Sequence, residues 1–193
     1  SDNRKVDSYV VLLHNNDAES QLINAGQGLE DFGGAARFAT VVNNARSASC
    51  DLVDRGLPPQ AASRARARAG ASCAVFLLSS GDNFLAGPEF NASLQKGVPF
   101  YDSLLITALG YDALAIGNHE FDFGPDVLED LISGITPSPD AQAKFLSANL
   151  DFSMESGLLG LVAQERIARS TIVSSRSMSR AEANLRPGSR AKA

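Results

Sequence analysis

The chain has 193 residues, 44% hydrophobic and 20% charged, and carries a net charge of −5 at pH 7. That balance fits one soluble-type globular domain with an ordinary core and excludes a chain dominated by disorder. No window approaches the roughly 18 apolar residues of a membrane span, and the polar start Ser-Asp-Asn-Arg-Lys does not read as a signal peptide.

Charge is unevenly spread: residues 1–164 hold 10 Lys+Arg against 20 Asp+Glu, and residues 165–193 hold 7 against 2. An acidic body repels phosphate polymers, which argues against nucleic acid as a partner. Bound cations would reverse that sign at an acidic mouth, so a small phosphate compound stays compatible.

In chain order, the apolar run 9–13 predicts a strand that leads into a loop over 14–33 with His14, Asp17 and Glu19. A helix is expected over 34–48, where Ala36, Phe38 or Ala39, Val42 and Ala45 recur at helical spacing. Cys50 and Cys73 are the two cysteines. They bracket residues 51–72 and either close that segment with a disulfide or stay as free thiols. Within it, Pro58-Pro59 precede an Ala/Arg run over 61–69 that predicts a solvated helix. Its Arg64, Arg66 and Arg68 would not share one helix face, which argues against a phosphate grip.

A second strand is expected over 74–79, followed by Gly81-Asp82-Asn83-Phe84. A helix over 99–109 is amphipathic through Leu104, Leu105, Ala108 and Leu109, and Gly110 ends it. A strand over 112–116 then reaches Gly117-Asn118-His119-Glu120-Phe121-Asp122. Pro125 and Asp126 suit the start of a helix over 125–133. A strand over 145–149 brings Asn149 and Asp151 toward the same rim, where they read as strand-end hydrogen-bonding groups. Residues 170–173 read as one more short strand. Residues 174–193 have too few large apolar side chains to fold and form a basic, disordered tail. The domain is thus expected over 5–173, and alternating strands and helices predict an α/β fold with a parallel-type sheet.

Three of these strands end in an Asp or an Asn–His pair. In an open α/β sheet, ligands bind beyond the carboxyl ends of the strands. A lone Asp after a strand is ordinarily a turn or cap. Three such ends in order, rich in hard oxygen donors with an imidazole beside them, suit a divalent metal site.

Gly81-Asp82-Asn83-Phe84 with Ala86-Gly87-Pro88, then Gly117-Asn118-His119-Glu120-Phe121-Asp122, then Ser147-Ala148-Asn149-Leu150-Asp151 resemble the 5'-nucleotidase branch of the calcineurin-like metallophosphoesterases. Gly33-Gly34-Ala35-Ala36-Arg37 resembles the first helix of that branch, and the match runs over residues 6–152. The resemblance implies a layered β-sandwich flanked by helices and two divalent ions (Mn²⁺, Zn²⁺, Mg²⁺ or Ca²⁺) at the strand ends. It also implies hydrolysis of a small phosphate ester, commonly a nucleotide, in a periplasmic or extracellular setting. By the same resemblance Asp17 would bind the first metal, Asp82 would bridge both, and Asn118 would bind the second. His119 would act at the leaving oxygen, and Asp122 would orient its imidazole.

Two departures from the family pattern stand out. Its usual Asp-x-His is here Asp17-Ala18-Glu19, so Glu19 either ligates or faces solvent, and His14 reads as structural rather than as a replacement. The family also completes its centre with downstream histidines, one alone and two in Gly-His-x-His, and no histidine follows His119. The fold is therefore expected to be incomplete, a front half. Two functions fit: a two-metal phosphoesterase lacking its C-terminal half, or a catalytically silent binding domain. Uncovered strand faces would make the chain dependent on a partner or on self-association.

Overall fold

The computed structural model describes residues 5–54, 66–138 and 143–174. Among these residues, five parallel strands lie side by side in chain order: β1 (Lys5–Asn15), β2 (Arg66–Ser79), β3 (Ala113–Ala115), β4 (Lys144–Leu146) and β5 (Ile167–Ala168). Between them run α1 (Ala35–Asp54), α2 (Pro88–Lys96), α3 (Tyr101–Leu109), α4 (Pro125–Ser133) and α5 (Ser156–Ala163). The α/β expectation holds, with one sheet flanked by helices; a second sheet of a sandwich is not among the described residues.

The core forms where strand residues of one row meet the helices. Leu114 pairs with Phe145, and Phe145 with Ile167, which sets three buried apolar side chains across the sheet. Against them pack Ile106 and Leu109 of α3, Leu128, Leu131 and Ile132 of α4, and Leu158 and Leu161 of α5. Phe84 and Phe90 stack with ring centroids 4.2 Å apart, and Phe100 meets Phe90 edge-on. Phe84 directly follows Asp82-Asn83 and is fully buried, so the aromatic stack anchors that loop.

Several elements differ from the sequence expectation. Residues 66–69 of the expected Ala/Arg helix are strand, paired in parallel with β1 through Lys5↔Arg66 and Val6↔Ala67. Strict Arg/Ala alternation has the two-residue period of a strand, and ladder pairing overrides the helix propensity of the composition; residues 61–65 of that run lie outside the described residues. The last described strand is Ile167–Ala168 rather than 170–173. Phe145 N–H donates to Arg166 O and Ser147 N–H to Ala168 O, fixing pairing there, while Ile172 is 94% exposed. Helices α2 and α5 were not expected, although Pro88 at a helix start and the Leu158/Leu161 spacing are visible signals. Cys73 on β2 is disulfide-bonded; the side chain of Cys50 and the tail over 175–193 lie outside the described residues.

Among the described residues β1 has β2 on one side only, and on one of its faces Val10 and Leu12 are 63% and 59% exposed. Adjacent exposed aliphatics on an edge strand invite association. The isolated chain is expected to self-associate in size-exclusion chromatography with light scattering, and Val10→Thr with Leu12→Thr should shift it toward monomer. A monodisperse monomer of the unaltered chain would contradict this.

Candidate active site

Because β1, β2 and β3 are parallel neighbours, their carboxyl ends meet at one edge of the sheet, and Asp17, Asp82 and Asn118 follow just beyond them. The first two loops are laced together through main chain. Asp17 N–H donates to Gly81 O at 3.2 Å, Glu19 N–H to Asp82 O at 3.1 Å and Ser20 N–H to Asn83 O at 3.0 Å. Asp17, Glu19, Ser20 and Asp82 all hold left-handed backbone, at φ of 48°, 48°, 54° and 51°. Such geometry costs about 1–2 kcal/mol per non-glycine residue and concentrates at functional sites.

The second and third loops touch directly. A Cβ on Gly81 would stand 2.8 Å from Gly117 N, and one on Gly117 would stand 2.2 Å from Asp82 Oδ1. Only glycine at both positions permits this approach. Across it, His119 N–H donates to Asp82 Oδ1 at 2.9 Å. Glu120, in the short 3-10 turn His119–Phe121, is fully buried, and its carboxylate accepts from Asp82 N–H, Asn83 N–H, the Asn83 side-chain amide and Gly117 N–H.

His119 Nδ1 lies 2.9 Å from Asp122 Oδ2, with 31% and 24% of the two side chains exposed. The hydrogen bond to Asp122 raises the imidazole pKa above its ordinary value, and the negative charges of Asp122, Asp82 and Glu19 add to it. The same hydrogen bond lowers the Asp122 carboxyl. Ala86 N–H also donates to Asp122, at 3.3 Å, which ties the pair back to the Asp82 loop. With Nδ1 engaged, Nε2 is the ring atom left to meet a ligand.

A second buried carboxylate, Asp102 at the start of α3, accepts from Ser20 Oγ at 2.7 Å and Ser93 Oγ at 2.6 Å. Burial raises its pKa, and the two serine hydroxyls work against that rise. Through Ser20 it fastens the loop that carries Asp17 and Glu19.

The structure thus brings Glu19, Asp82, His119 and Asp122 into one electrostatic neighbourhood, with Asp17 and Asn118 on the loops beside them. The side chains of Glu19 and Asn118 make no hydrogen bond among the described residues, and Asp82 Oδ2 is likewise without one. Asp17 accepts from the neighbouring Asn16 amide. Hard oxygen donors left without protein partners fit a divalent cation in kind. They fall short in number: among the described residues, no group of three His, Cys, Asp or Glu side chains is placed to hold a metal. His14 lies exposed on β1 opposite Leu78. Asn149 accepts from Ser147 Oγ, and Asp151 accepts from Ser153 N–H, local bonds of the kind expected at a strand end. Glu120, Asn83 and Asp102 have no role that residue type alone suggests. For Glu120 the signal was its place directly after His119; for Asp102 nothing short of the packing shows its burial.

No protein-family model matches the chain. The trifunctional nucleotide phosphoesterase protein YfkN of Bacillus subtilis is 36% identical to it over 95 residues, 45% of this chain and 6% of that protein. The 5'-nucleotidase of Bos taurus is 32% identical over 131 residues, 63% of this chain and 18% of that one. Among solved structures, the 5'-nucleotidase precursor of Thermus thermophilus superposes with a TM-score of 0.53 at 28% identity, over 79% of this chain and 24% of its own. These relatives bear out the resemblance to the N-terminal part of the 5'-nucleotidase branch of the metallophosphoesterases. The chain spans less than a quarter of the length of each.

The His119–Asp122 pair has a pH signature. A raised imidazole pKa stabilises the fold below the ordinary value of 6.5, and that contribution is lost as pH rises through the folded value. In Asp122→Asn the ring should lose its proton at lower pH, closer to the ordinary value, as followed by NMR of the imidazole protons. An unchanged titration would show that Asp122 does not hold the ring.

Proposed function

We propose that this chain carries the N-terminal part of the active centre of a metal-dependent phosphate-ester hydrolase whose substrate is a small phosphate ester, a nucleotide in the first instance. The observation that supports it most is the meeting of three strand-end loops, with Asp82 and His119 joined at 2.9 Å and His119 backed by Asp122 at 2.9 Å. The relatives named for nucleotide phosphoester chemistry support the same reaction class.

Asp17, Glu19, Asp82 and Asn118 would hold the ions through oxygen, with further ligands supplied by sequence beyond these 193 residues. When bound, divalent ions supply Lewis acidity: activation of the attacking water and neutralisation of charge at phosphorus. His119 holds a proton at Nε2 for the departing oxygen, and its raised pKa keeps the ring an acid nearer neutral pH. Asp122 keeps the ring in place while that proton moves.

An exported, periplasmic or extracellular, setting suits this reading, since the Thermus relative is named a precursor and Cys73 is disulfide-bonded. Among the described residues, no helix is long and apolar enough to cross a membrane. The shortage of convergent ligands favours a second reading, a silent binding domain on the same fold. Coding DNA downstream of residue 193 separates the two: a Gly-His-x-His segment favours the hydrolase, its absence the silent domain.

Metal titration of the metal-free chain tests the donor set. With Glu19 where the family has His, Mn²⁺, Mg²⁺ or Ca²⁺ should compete better against Zn²⁺ than in Asp-x-His proteins, and Asp82→Ala should abolish binding. A strong Zn²⁺ preference that Glu19→Ala leaves untouched would overturn it.

Turnover tests the proton role. The chain alone should hydrolyse p-nitrophenyl phosphate weakly or not at all. Whatever rate is present should fall about 10²–10⁴-fold in His119→Ala while metal content hardly changes. Equal metal loss in His119→Ala and Asp82→Ala would refute the division of roles.

A further inference from the structure

Glu120 is the most enclosed charged side chain of the described structure, and nothing in the reaction outlined above uses it. Its exposure is 0%. Each carboxylate oxygen takes two donors. Oε1 accepts from Asn83 N–H at 2.8 Å and from Asn83 Nδ2 at 3.0 Å. Oε2 accepts from Asp82 N–H at 3.0 Å and Gly117 N–H at 2.6 Å. Three of the four donors are main-chain amides of the loops that carry Asp82 and Asn118–His119.

We propose that Glu120 is a positioning residue, a buried staple that fixes the Asp82 loop against the Asn118–His119 loop. The proposal rests on the functional reading of those loops. The two loops have no strand pairing of their own past the ends of β2 and β3, which pair only through Leu78↔Ala113 and Ser79↔Leu114. What holds them beyond that point is the Glu120 carboxylate, the bond from His119 N–H to Asp82 Oδ1 and, farther along, the longer bond from Ala86 N–H to Asp122. The side chain reaches the Asp82 loop from the residue next to His119, so its anchoring also fixes the turn that presents the imidazole.

The chemistry demands a carboxylate. Four N–H donors converge on two oxygens, and glutamine offers only one acceptor oxygen. Whichever way its amide turned, two N–H donors would face an NH₂ group. Aspartate keeps both oxygens but draws them back by one methylene. A hydrogen bond from Ser79 Oγ to Asn83 Oδ1 at 2.8 Å sets the Asn83 amide so that its nitrogen points to Glu120. The arrangement is thus specified from both sides.

The test uses the full 193-residue chain, Mn²⁺ alone as probe, and amide hydrogen exchange by NMR. Glu120→Gln should keep its far-ultraviolet circular dichroism, lose exchange protection at the Asp82, Asn83 and Gly117 amides, and bind Mn²⁺ about 10–100-fold more weakly by electron paramagnetic resonance, the usual effect of removing a group that orients ligands. Leu161→Ala, which opens the core on α5, should lower stability yet leave Mn²⁺ affinity within about twofold. Mn²⁺ affinity and amide protection unchanged in Glu120→Gln would overturn the staple, as would equal weakening in Leu161→Ala. If Glu120→Gln does not fold, Glu120→Asp carries the same comparison with the same outcomes. If the unaltered chain binds no Mn²⁺, the functional reading fails. The exchange arm then decides alone: loss of protection supports the staple and retained protection overturns it.

Discussion

Parallel pairing of β1, β2 and β3 in chain order is the constraint on which everything at the site depends. It sends three carboxyl ends to one edge, so residues 17, 82 and 118, far apart in sequence, become neighbours without any direct bond between their side chains. Parallel strands need crossover connections, and α1, α2 and α3 supply them while burying the apolar row beneath. The chemistry is placed by topology first and by side-chain contacts second.

The site is polar where the rest of the core is not, and it is held by groups that would be costly if left alone. Left-handed backbone at Asp17, Glu19, Ser20 and Asp82 is strained, and it persists because the surroundings over-determine it. Three main-chain bonds lace the first loop to the second. Two buried carboxylates do the rest, Asp102 gripping Ser20 and Glu120 gripping Asp82, Asn83 and Gly117. Neither carboxylate faces the mouth. A buried acidic group without donors would destabilise the fold, whereas these two convert their need for donors into a fixed loop geometry.

Much of this was legible in the residues. Strong apolar runs ending in Gly-Asp or Gly-Asn-His mark the strands and the loops that leave their carboxyl ends, because burial and turn chemistry act over short windows. Helix 125–133 matched its expected bounds, since Pro125 starts it and apolar periodicity carries it. What stayed hidden depended on distant partners. The Arg/Ala run is strand over residues 66–69 because β1 pairs with it, and β5 starts at Ile167 because Phe145 and Ser147 dictate where pairing occurs. Glu120 and Asp102 read as surface acids by type; only packing shows that they are buried and saturated with donors.

Among the described residues, the donor set at the loops is short and one face of β1 is bare. Glu19, Asp82 and Asn118 bring oxygens that no described residue engages, yet among the described residues no three metal-ligating side chains gather. Val10 and Leu12, on the strand that leads to Asp17, stand exposed with no described element over them. In the layered fold that the resemblance implies, a second sheet would cover apolar surface and add donors from its own loops. Burying those aliphatics would be favourable by the hydrophobic effect. The described loops are held in shape by main-chain lacing and buried carboxylates, so their open oxygens keep one arrangement toward whatever donors join them.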